Sequence, residues 1–263
     1  MKILIIGDIV GSPGRTALAR IVGQMRAAGE VDFVVANAEN SAGGRGLTPP
    51  LAEELFRAGA DVLTTGDHVW DQKELAKQID KEPRILRPAN YPPGCPGKGW
   101  ITVETPAGRV TVIDLVGRVF MGPADCPFRM ADQILSAGAG LGKIIVVDLH
   151  GEATSEKIAM GRYLDGRVSA VVGSHTHVQT SDETILPKGT AYITDLGMTG
   201  PKDSVLGRDV ESILHKFLTG MPSPFQVASK DVSLEGVLIT IDEKTGKATK
   251  IKRVREKIPD ASA

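Results

Sequence analysis

The chain has 263 residues, 41% of them apolar, and a formal net charge of −1. This length suits one substantial α/β domain, and a charge so close to zero argues against a protein that attracts nucleic acid or membranes through its overall field. No apolar run reaches the roughly 20 residues of a membrane span. The run near the N-terminus stops at Gly7-Asp8, so it predicts a first strand rather than a signal peptide.

Five apolar, β-branched segments predict strands of a sheet that helices cover on its faces. Polar residues follow each segment at once. The segments span residues 3–6, 32–40, 60–68, 143–152 and 168–177. Amphipathic stretches predict helices between and after these strands, at residues 14–28, 49–58, 71–80, 129–139 and 154–163. This alternation of strands and helices is typical of an α/β fold.

Two segments alternate apolar and polar residues and predict β-hairpins. Residues 100–116 turn at "PAG", and residues 235–256 turn at "EKTG". They predict antiparallel strands at the sheet edges or in a second sheet. Residues 197–234 are rich in Gly, Pro, Ser and Asp around one predicted helix, 207–218, and we expect a lid or a subunit contact there. Without a repeat or a linker, the whole of 1–263 is predicted to be a single domain.

The two cysteines, Cys95 and Cys126, lie in the proline-rich loops "PPGCPGKG" and "GPADCPFR". Neither has the spacing of a zinc ribbon or a CxxC motif. They predict two free thiols in a reducing compartment, and therefore a cytoplasmic protein.

Metal-binding residue types follow all five predicted strands. Ligands in open α/β sheets gather beyond the carboxyl ends of the strands, so these residues are expected to meet. Four of the five histidines of the chain belong to the set, and the fifth, His215, lies in a predicted helix. The set is Asp8, Glu39, Asn40, Asp67, His68, His150, His175 and His177.

Carboxylate, amide and imidazole ligands together suit manganese, iron or zinc better than calcium or magnesium. Seven or eight ligands are too many for one ion and suit two ions that share a bridging carboxylate. The spacing of "GSHTH" fits this arrangement. In a turn beyond a strand, His175 and His177 can point to two ions, whereas a single-ion helical site spaces its histidines four residues apart.

These motifs resemble those of the calcineurin-like metallophosphoesterases. The family has an Asp after the first strand, "GNH" after a middle strand, a later lone His and a final "GHxH". This chain has "GDIVG", "GDH", "DLHGE" and "GSHTH". The strings "GDIVGSPGR", "ANAENSAGG" and "HGEATSEK" are similar to those of the bacterial YmdB-like cyclic-nucleotide phosphodiesterase branch. The resemblance implies a metallophosphoesterase sandwich, with two mixed β-sheets flanked by helices and metals at the carboxyl ends of the strands.

The resemblance also implies individual roles for the site residues. Two divalent metals, iron or manganese with zinc as the alternative, would share Glu39 as a bridge. One metal would be held by Asp8, Glu39, Asn40 and His177, and the other by Glu39, Asp67, His150 and His175. A metal-activated hydroxide would attack a small phosphodiester, a 2′,3′- or 3′,5′-cyclic nucleotide, while His68 acts as general acid.

The chain departs from the family at Asp67, where the motif "GNH" has Asn. An Asp presents an oxygen at similar reach but adds a negative charge, which strengthens cation binding and weakens Lewis acidity. We expect a working site with altered metal preference or turnover.

Two residues are candidates for substrate contacts. Arg45, in a glycine-rich loop, is a candidate for binding phosphate, and a plain loop is the alternative. Phe120 is a candidate for stacking on a base, and ordinary packing is the alternative.

Two other functions remain open from the sequence. One is a phosphomonoesterase or nuclease with the same chemistry, although the chain has no stripe of Lys and Arg for gripping long DNA. The other is a metal-binding regulatory protein with weak phosphodiesterase activity. The expected partners are a small cyclic nucleotide and further copies of the chain in a homo-oligomer, without a membrane or a stable nucleic-acid complex.

Overall fold

The computed structural model of the protein describes residues 1–259, so residues 260–263 of the predicted single domain lie outside the described residues. Its strands are β1 (Lys2–Ile6), β2 (Asp8–Ile9), β3 (Phe33–Asn37), β4 (Val62–Thr64), β5 (Trp100–Thr105), β6 (Gly108–Val116), β7 (Ile144–His150), β8 (Ala170–Ser174), β9 (Thr184–Ile185), β10 (Ala191–Ile193), β11 (Met198–Pro201), β12 (Val232–Ile241) and β13 (Ala248–Lys257). Its helices are α1 (Gly11–Ala27), α2 (Pro49–Arg57), α3 (Lys73–Gln78), α4 (Pro127–Ser136), α5 (Thr154–Leu164) and α6 (Val210–Thr219).

The strands form two mixed sheets. The first has the order β2-β11-β12-β1-β3-β4, with β13 paired to the free edge of β12, and the second has the order β5-β6-β7-β8-β10-β9. In the first sheet β1, β3 and β4 are parallel and β12 runs antiparallel to β1. In the second sheet β6, β7, β8 and β10 are parallel. This architecture confirms the predicted fold class.

Alternating side chains of β1 explain why the strand is apolar on both faces. Ile3 and Ile5 pack between the two sheets, where they join residues such as Val112 of β6. Leu4 and Ile6 point the other way, into a core that includes Leu18 of α1. A third core lies on the outer face of the second sheet, under α4 and α5. The two sheets are therefore sandwiched between helices, and each strand positions its carboxyl end rigidly.

Both predicted hairpins are confirmed, as β5–β6 at the edge of the second sheet and β12–β13 in the first sheet. The segment 197–234 is more regular than its composition indicates. Its first residues form β11, which pairs with β2 and β12, and its last residues begin β12. Only the part between them, with α6, lies outside the sheets. None of the helices in residues 1–259 has the length and apolar character needed to cross a bilayer.

Candidate metal centre

The predicted site residues come together where strands of both sheets end. Asp8 lies in β2, two residues after β1, and Glu39 follows β3 by two residues. Asp67 comes three residues after β4, and His150 is the last residue of β7. The two histidines of "HTH" follow β8. The first sheet thus supplies the carboxylates and the second sheet supplies the imidazoles.

Four of these side chains converge on one point. Glu39, Asp67, His150 and His175 each offer a ligand atom, and the four atoms lie within 4.8 Å of one another. His150 Nε2 is 3.0 Å from Glu39 Oε1 and 3.1 Å from Asp67 Oδ1. His175 Nδ1 lies 3.0 Å from His150 Nε2. Two imidazoles and two carboxylates at this separation form a donor set suited to a divalent transition metal.

Asp8, Asn40 and His177 form a second group beside the first. His177 Nε2 lies 3.4 Å from the side-chain nitrogen of Asn40 and 3.8 Å from Asp8 Oδ1. Asp8 is fully buried, and its Oδ1 atom has no hydrogen-bond partner among the described residues. A buried carboxylate oxygen without a partner is costly, and a bound cation would satisfy it. The residues present therefore fit a second metal at this position.

The charges of the site support one another. Burial would raise the pKa of Glu39, but the charge and hydrogen bond of His150 hold that pKa below its usual value. Burial also acts against ionised Asp67, yet hydrogen bonds from His150 and His175 lower its pKa. Burial opposes a charge on His150, but Glu39 and the other carboxylates raise its pKa well above the usual value. The carboxylates therefore favour a positive charge at this position, and a bound cation would supply it in place of a proton on His150.

Buried residues beneath His150 fix the orientation of its ring. Ser174 Oγ lies 3.0 Å from His150 Nδ1 and donates a hydrogen bond to Asp148 Oδ1 at 2.7 Å. Thr64 Oγ1 donates to the other oxygen of Asp148 at 2.6 Å. Burial raises the pKa of Asp148 to about 6. Hydrogen bonding at Nδ1 leaves Nε2 of His150 to face the site, as in many metal-binding histidines.

The turn "HTH" is held in an unusual backbone conformation. His175 and His177 have φ angles of 101° and 64°, a region that residues other than glycine rarely adopt. Asp8 Oδ2 accepts a hydrogen bond from the backbone N–H of His175 at 3.1 Å, and Asp195 Oδ2 accepts one from Thr176 at 3.2 Å. Two carboxylates thus hold the backbone of the turn that separates the two imidazoles.

Asp195 is in turn half of a buried ion pair. Its Oδ2 atom lies 2.7 Å from Lys157 Nζ of α5, and both side chains are only 1% exposed. Lys157 therefore ties the helix that covers the second sheet to the turn that carries the histidines.

The glycine of "GDH" is required by close packing against a histidine. A Cβ atom on Gly66 would lie 2.2 Å from His150 Cδ2, far inside any allowed contact. The absence of a side chain at residue 66 therefore lets the Asp67 loop lie directly against the His150 ring. This is why the first residue of the motif is Gly.

His68 lies outside the cluster of ligand atoms and pairs with a carboxylate of its own. Its Nδ1 atom is 2.9 Å from Asp71 Oδ2, and its backbone N–H donates to Glu39 Oε2 at 3.0 Å. The same oxygen of Asp71 is 2.5 Å from Arg45 Nε. A histidine held at Nδ1 by a carboxylate presents Nε2 for proton transfer. Arg45, which is predicted to contact phosphate, therefore pairs with Asp71, the carboxylate that also holds His68.

A cavity of about 460 Å³ opens over these residues. Its floor includes Glu39, Asn40, His68, His175 and His177, and its opposite wall comes from residues 205–225. Neither Arg45 nor Phe120 lines it. The Phe120 side chain is 86% exposed, so its predicted contact with a base stays a prediction without support from this cavity.

Several residues of the site do not follow from the five strand ends. Glu152 Oε2 lies 3.3 Å from His175 Nε2, and Asp71 holds His68. Asp148 and Ser174 support the ring of His150, and Asp195 accepts a hydrogen bond from the backbone of Thr176. The sequence could have identified Asp148, because a carboxylate inside the apolar run "IIVVDLH" requires a buried hydrogen-bond partner.

The sequence of the chain matches a known protein family. The sequence model of the family described as YmdB-like protein matches residues 4–254. A 2′,3′-cyclic-nucleotide 2′-phosphodiesterase from Bacillus subtilis is 50% identical over 254 residues, which cover 97% of this chain and 96% of the relative.

Two crystal structures share the fold closely. A hypothetical protein from Thermus thermophilus has a TM-score of 0.92 and 40% identity, with 98% of this chain and 100% of that chain covered. A phosphatase from Mycoplasma pneumoniae has a TM-score of 0.91 and 32% identity, with coverage of 98% and 93%. The extent of these matches, from the first strand to the C-terminal hairpin, shows that the chain belongs to the YmdB-like protein family.

Proposed function

We propose that this protein is a metal-dependent phosphodiesterase that opens the phosphate ring of 2′,3′-cyclic nucleotides. The observation that carries the proposal is the convergence of Glu39, Asp67, His150 and His175 within 4.8 Å. Two of them, Glu39 and His175, line a cavity that His68 also lines. The activity named for the Bacillus subtilis relative, 50% identical over nearly the whole chain, supports this choice of substrate.

Asp67, His150 and His175 would hold one metal, and Asp8, Asn40 and His177 the other, with Glu39 shared between them. Bound divalent ions supply an activated water and neutralise the charge of the phosphate oxygens. We favour iron or manganese because the donor set mixes imidazole with carboxylate.

The residues of the chain account for the proton that the leaving group needs. Water contributes its oxygen to phosphorus while the bond between phosphorus and the ribose O2′ breaks, which leaves a 3′-phosphate. His68 would donate the proton to O2′ from Nε2, since its Nδ1 is held by Asp71 at 2.9 Å. Arg45 would contribute indirectly, because its bond to Asp71 fixes the carboxylate that orients His68.

Two further expectations belong to the same proposal. A cytoplasmic location is supported by the thiols of Cys95 and Cys126, which are unpaired. A homo-oligomer is supported by the neighbouring exposed apolar side chains of Val119 and Phe120, which do not line the cavity.

The test combines metal analysis with a panel of substrates. Protein purified without chelator is assayed on 2′,3′-cyclic AMP, 3′,5′-cyclic AMP and the monoester 3′-AMP, with manganese or iron added. We expect 2′,3′-cyclic AMP to be converted to 3′-AMP and the monoester to persist. His68→Ala should retain the metal content of the wild type and lose about 10²–10⁴-fold in kcat, since it removes the general acid.

Three outcomes would contradict the proposal. A metal-loaded protein that turns over no diester would be a metal-binding regulatory protein, and preferential hydrolysis of 3′-AMP would make it a phosphomonoesterase. Loss of metal from His68→Ala would make His68 a ligand rather than an acid.

A further inference from the structure

The apolar side chains of residues 206–225 are exposed beside the metal centre. Within residues 1–259, six of the twelve large apolar side chains that are exposed belong to this short segment. Exposed apolar side chains that cluster in this way mark a surface that a ligand or partner covers. The six are Leu206, Leu214, Phe217, Leu218, Met221 and Phe225.

Three of the six line the same cavity as the metal-binding residues. Together with their neighbours they form what we term the apolar wall, defined by Val205, Leu206, Ile213, Phe217 and Phe225. The apolar wall and His68 therefore face one continuous space.

The apolar wall has a well-defined conformation. Asp209 caps the N-terminus of α6, since its side chain accepts a hydrogen bond from Ser212 N at 3.0 Å, and Gly220, with φ of 70°, caps the C-terminus. Both are favourable helix ends. The wall is also joined to the metal centre, because His177 Nδ1 lies 3.2 Å from the carbonyl oxygen of Leu206.

Two cationic side chains lie close to the ring of Phe225 in the apolar wall. The guanidinium of Arg208 lies 4.7 Å from the centre of the Phe225 ring, and Lys216 Nζ lies 5.1 Å from it. Arg208 also donates to the carbonyl oxygen of Gly44 at 2.5 Å. Within residues 1–259 no carboxylate forms an ion pair with Arg208. Its charge therefore remains available to an anionic substrate in the cavity.

We propose that the apolar wall is the binding surface for the nucleobase, with Phe217 as the main base contact. The proposal rests on the proposed function and names the part of the substrate that the wall recognises. With the phosphate over Glu39 and His175, the base is the flat apolar group of a cyclic nucleotide, and the wall is the apolar face of the same cavity. Contact with an aromatic ring accepts every base, because each has a π-face.

The test compares two substrates that share the phosphate ring and differ only in the base. These are 2′,3′-cyclic AMP and methyl β-D-ribofuranoside 2′,3′-cyclic phosphate, which has a methyl group in place of the base. The variant is Phe217→Ala, and the matched control is Leu218→Ala on the same helix. Their side chains are 80% and 82% exposed, but Leu218 does not line the cavity. Neither substitution removes a core contact, so both variants should fold.

We expect Phe217→Ala to lower kcat/KM for 2′,3′-cyclic AMP by at least about fivefold. It should leave kcat/KM for the methyl riboside unchanged, and Leu218→Ala should change neither value. Equal effects of Phe217→Ala on both substrates, or no effect on either, would overturn the proposal. An equal loss in Leu218→Ala, with a smaller oligomer by light scattering, would instead assign α6 to a subunit contact. If the wild type hydrolyses neither substrate, the proposed function itself fails.

Discussion

The carboxylate of Asp67 adds a negative charge to the candidate metal centre. Its Oδ1 atom lies 3.1 Å from His150 Nε2 and 3.4 Å from His175 Nδ1, so it occupies the position that the sequence motif assigns to a ligand. With Asp8 and Glu39 it makes three carboxylates in the site. Each further negative charge attracts a cation more strongly and lowers the ability of the bound ion to polarise a phosphate.

Replacing Asp67 by Asn tests this balance. Asp67→Asn should bind manganese more weakly, because one negative charge is lost while an oxygen ligand remains, and it should retain hydrolysis of 2′,3′-cyclic AMP. Calorimetric titration with manganese gives the affinity, and product formation gives the rate. The control is Asp71→Asn, which should keep the affinity and lose about 10–100-fold in kcat through the misplaced His68. An inactive Asp67→Asn would show that the Asp is required rather than tolerated.

The sequence predicts which site residues lie together better than it predicts the residues that hold them in place. The eight residues of the predicted site lie together because strand ends in an α/β fold meet, a general property of the architecture. Asp71 and Asp195 were missed because their partners depend on loop conformation, which no local pattern encodes. The aromatic ring of Phe120, in the segment 117–129, predicts a base contact, but the phenylalanine rings that line the cavity are those of Phe217 and Phe225.

Among the structural elements, the turn after β8 depends most on contacts outside itself. His175 and His177 both have positive φ angles, which cost free energy for residues with a side chain and persist only where surrounding contacts fix them. Here the fixing contacts are Asp8, which accepts a hydrogen bond from the backbone of His175, and Asp195, which is buried against Lys157 of α5. The sequence "GSHTH" predicts the divergence of the two imidazoles, but nothing in it reveals the ion pair that holds the backbone.

Breaking this pair should affect both stability and metal binding. Asp195→Ala leaves Lys157 buried without a counter-charge, and we expect a loss of roughly 3–5 kcal/mol in the free energy of unfolding. Urea titration measures this loss. The double variant Lys157→Met/Asp195→Ala should recover part of the stability, because no unpaired charge remains, but not the metal affinity, because Thr176 still lacks its acceptor.

An exposed ion pair provides the control for that comparison. Asp132 and Arg167 lie 2.6 Å apart with about two-fifths of each side chain exposed, at 43% and 39%. Asp132→Ala should therefore cost less than about 1 kcal/mol. Equal losses in Asp195→Ala and Asp132→Ala would show that the buried pair does not hold the turn.

For the whole molecule, the metal centre lies between the two sheets. Glu39 and Asp67 come from the first sheet, and His150 and His175 come from the second. A bound ion would therefore add a connection between two layers that apolar contacts and buried hydrogen bonds, such as the one from Thr64 to Asp148, already join. The apolar runs and hairpins predict an α/β fold with antiparallel strands at the sheet edges or in a second sheet, and the family resemblance implies two sheets. The strand β11 was not predictable, because "MTGP" contains a glycine and a proline and resembles a loop.

Metal removal should therefore lower the stability of the entire domain. At a free metal concentration of 100 times Kd, binding to the folded state alone contributes about 2.7 kcal/mol. We expect chelator to lower the melting temperature and added manganese to restore it. Glu39→Gln, which alters the shared ligand, should show a much smaller rise on adding manganese. A metal-loaded protein whose melting temperature is unaffected by chelator would contradict this coupling.

The position of β12 has a consequence for how the protein matures. This strand pairs with both β1 and β11 in the first sheet, although it begins only at Val232. All seven proposed ligands have been synthesised by residue 177, yet the sheet that aligns Asp8 is incomplete until the last hairpin inserts. A ribosome-bound chain thus carries every ligand before it has a finished centre. We therefore expect a chain truncated within the C-terminal hairpin to bind manganese more weakly than the whole chain, although it retains every proposed ligand.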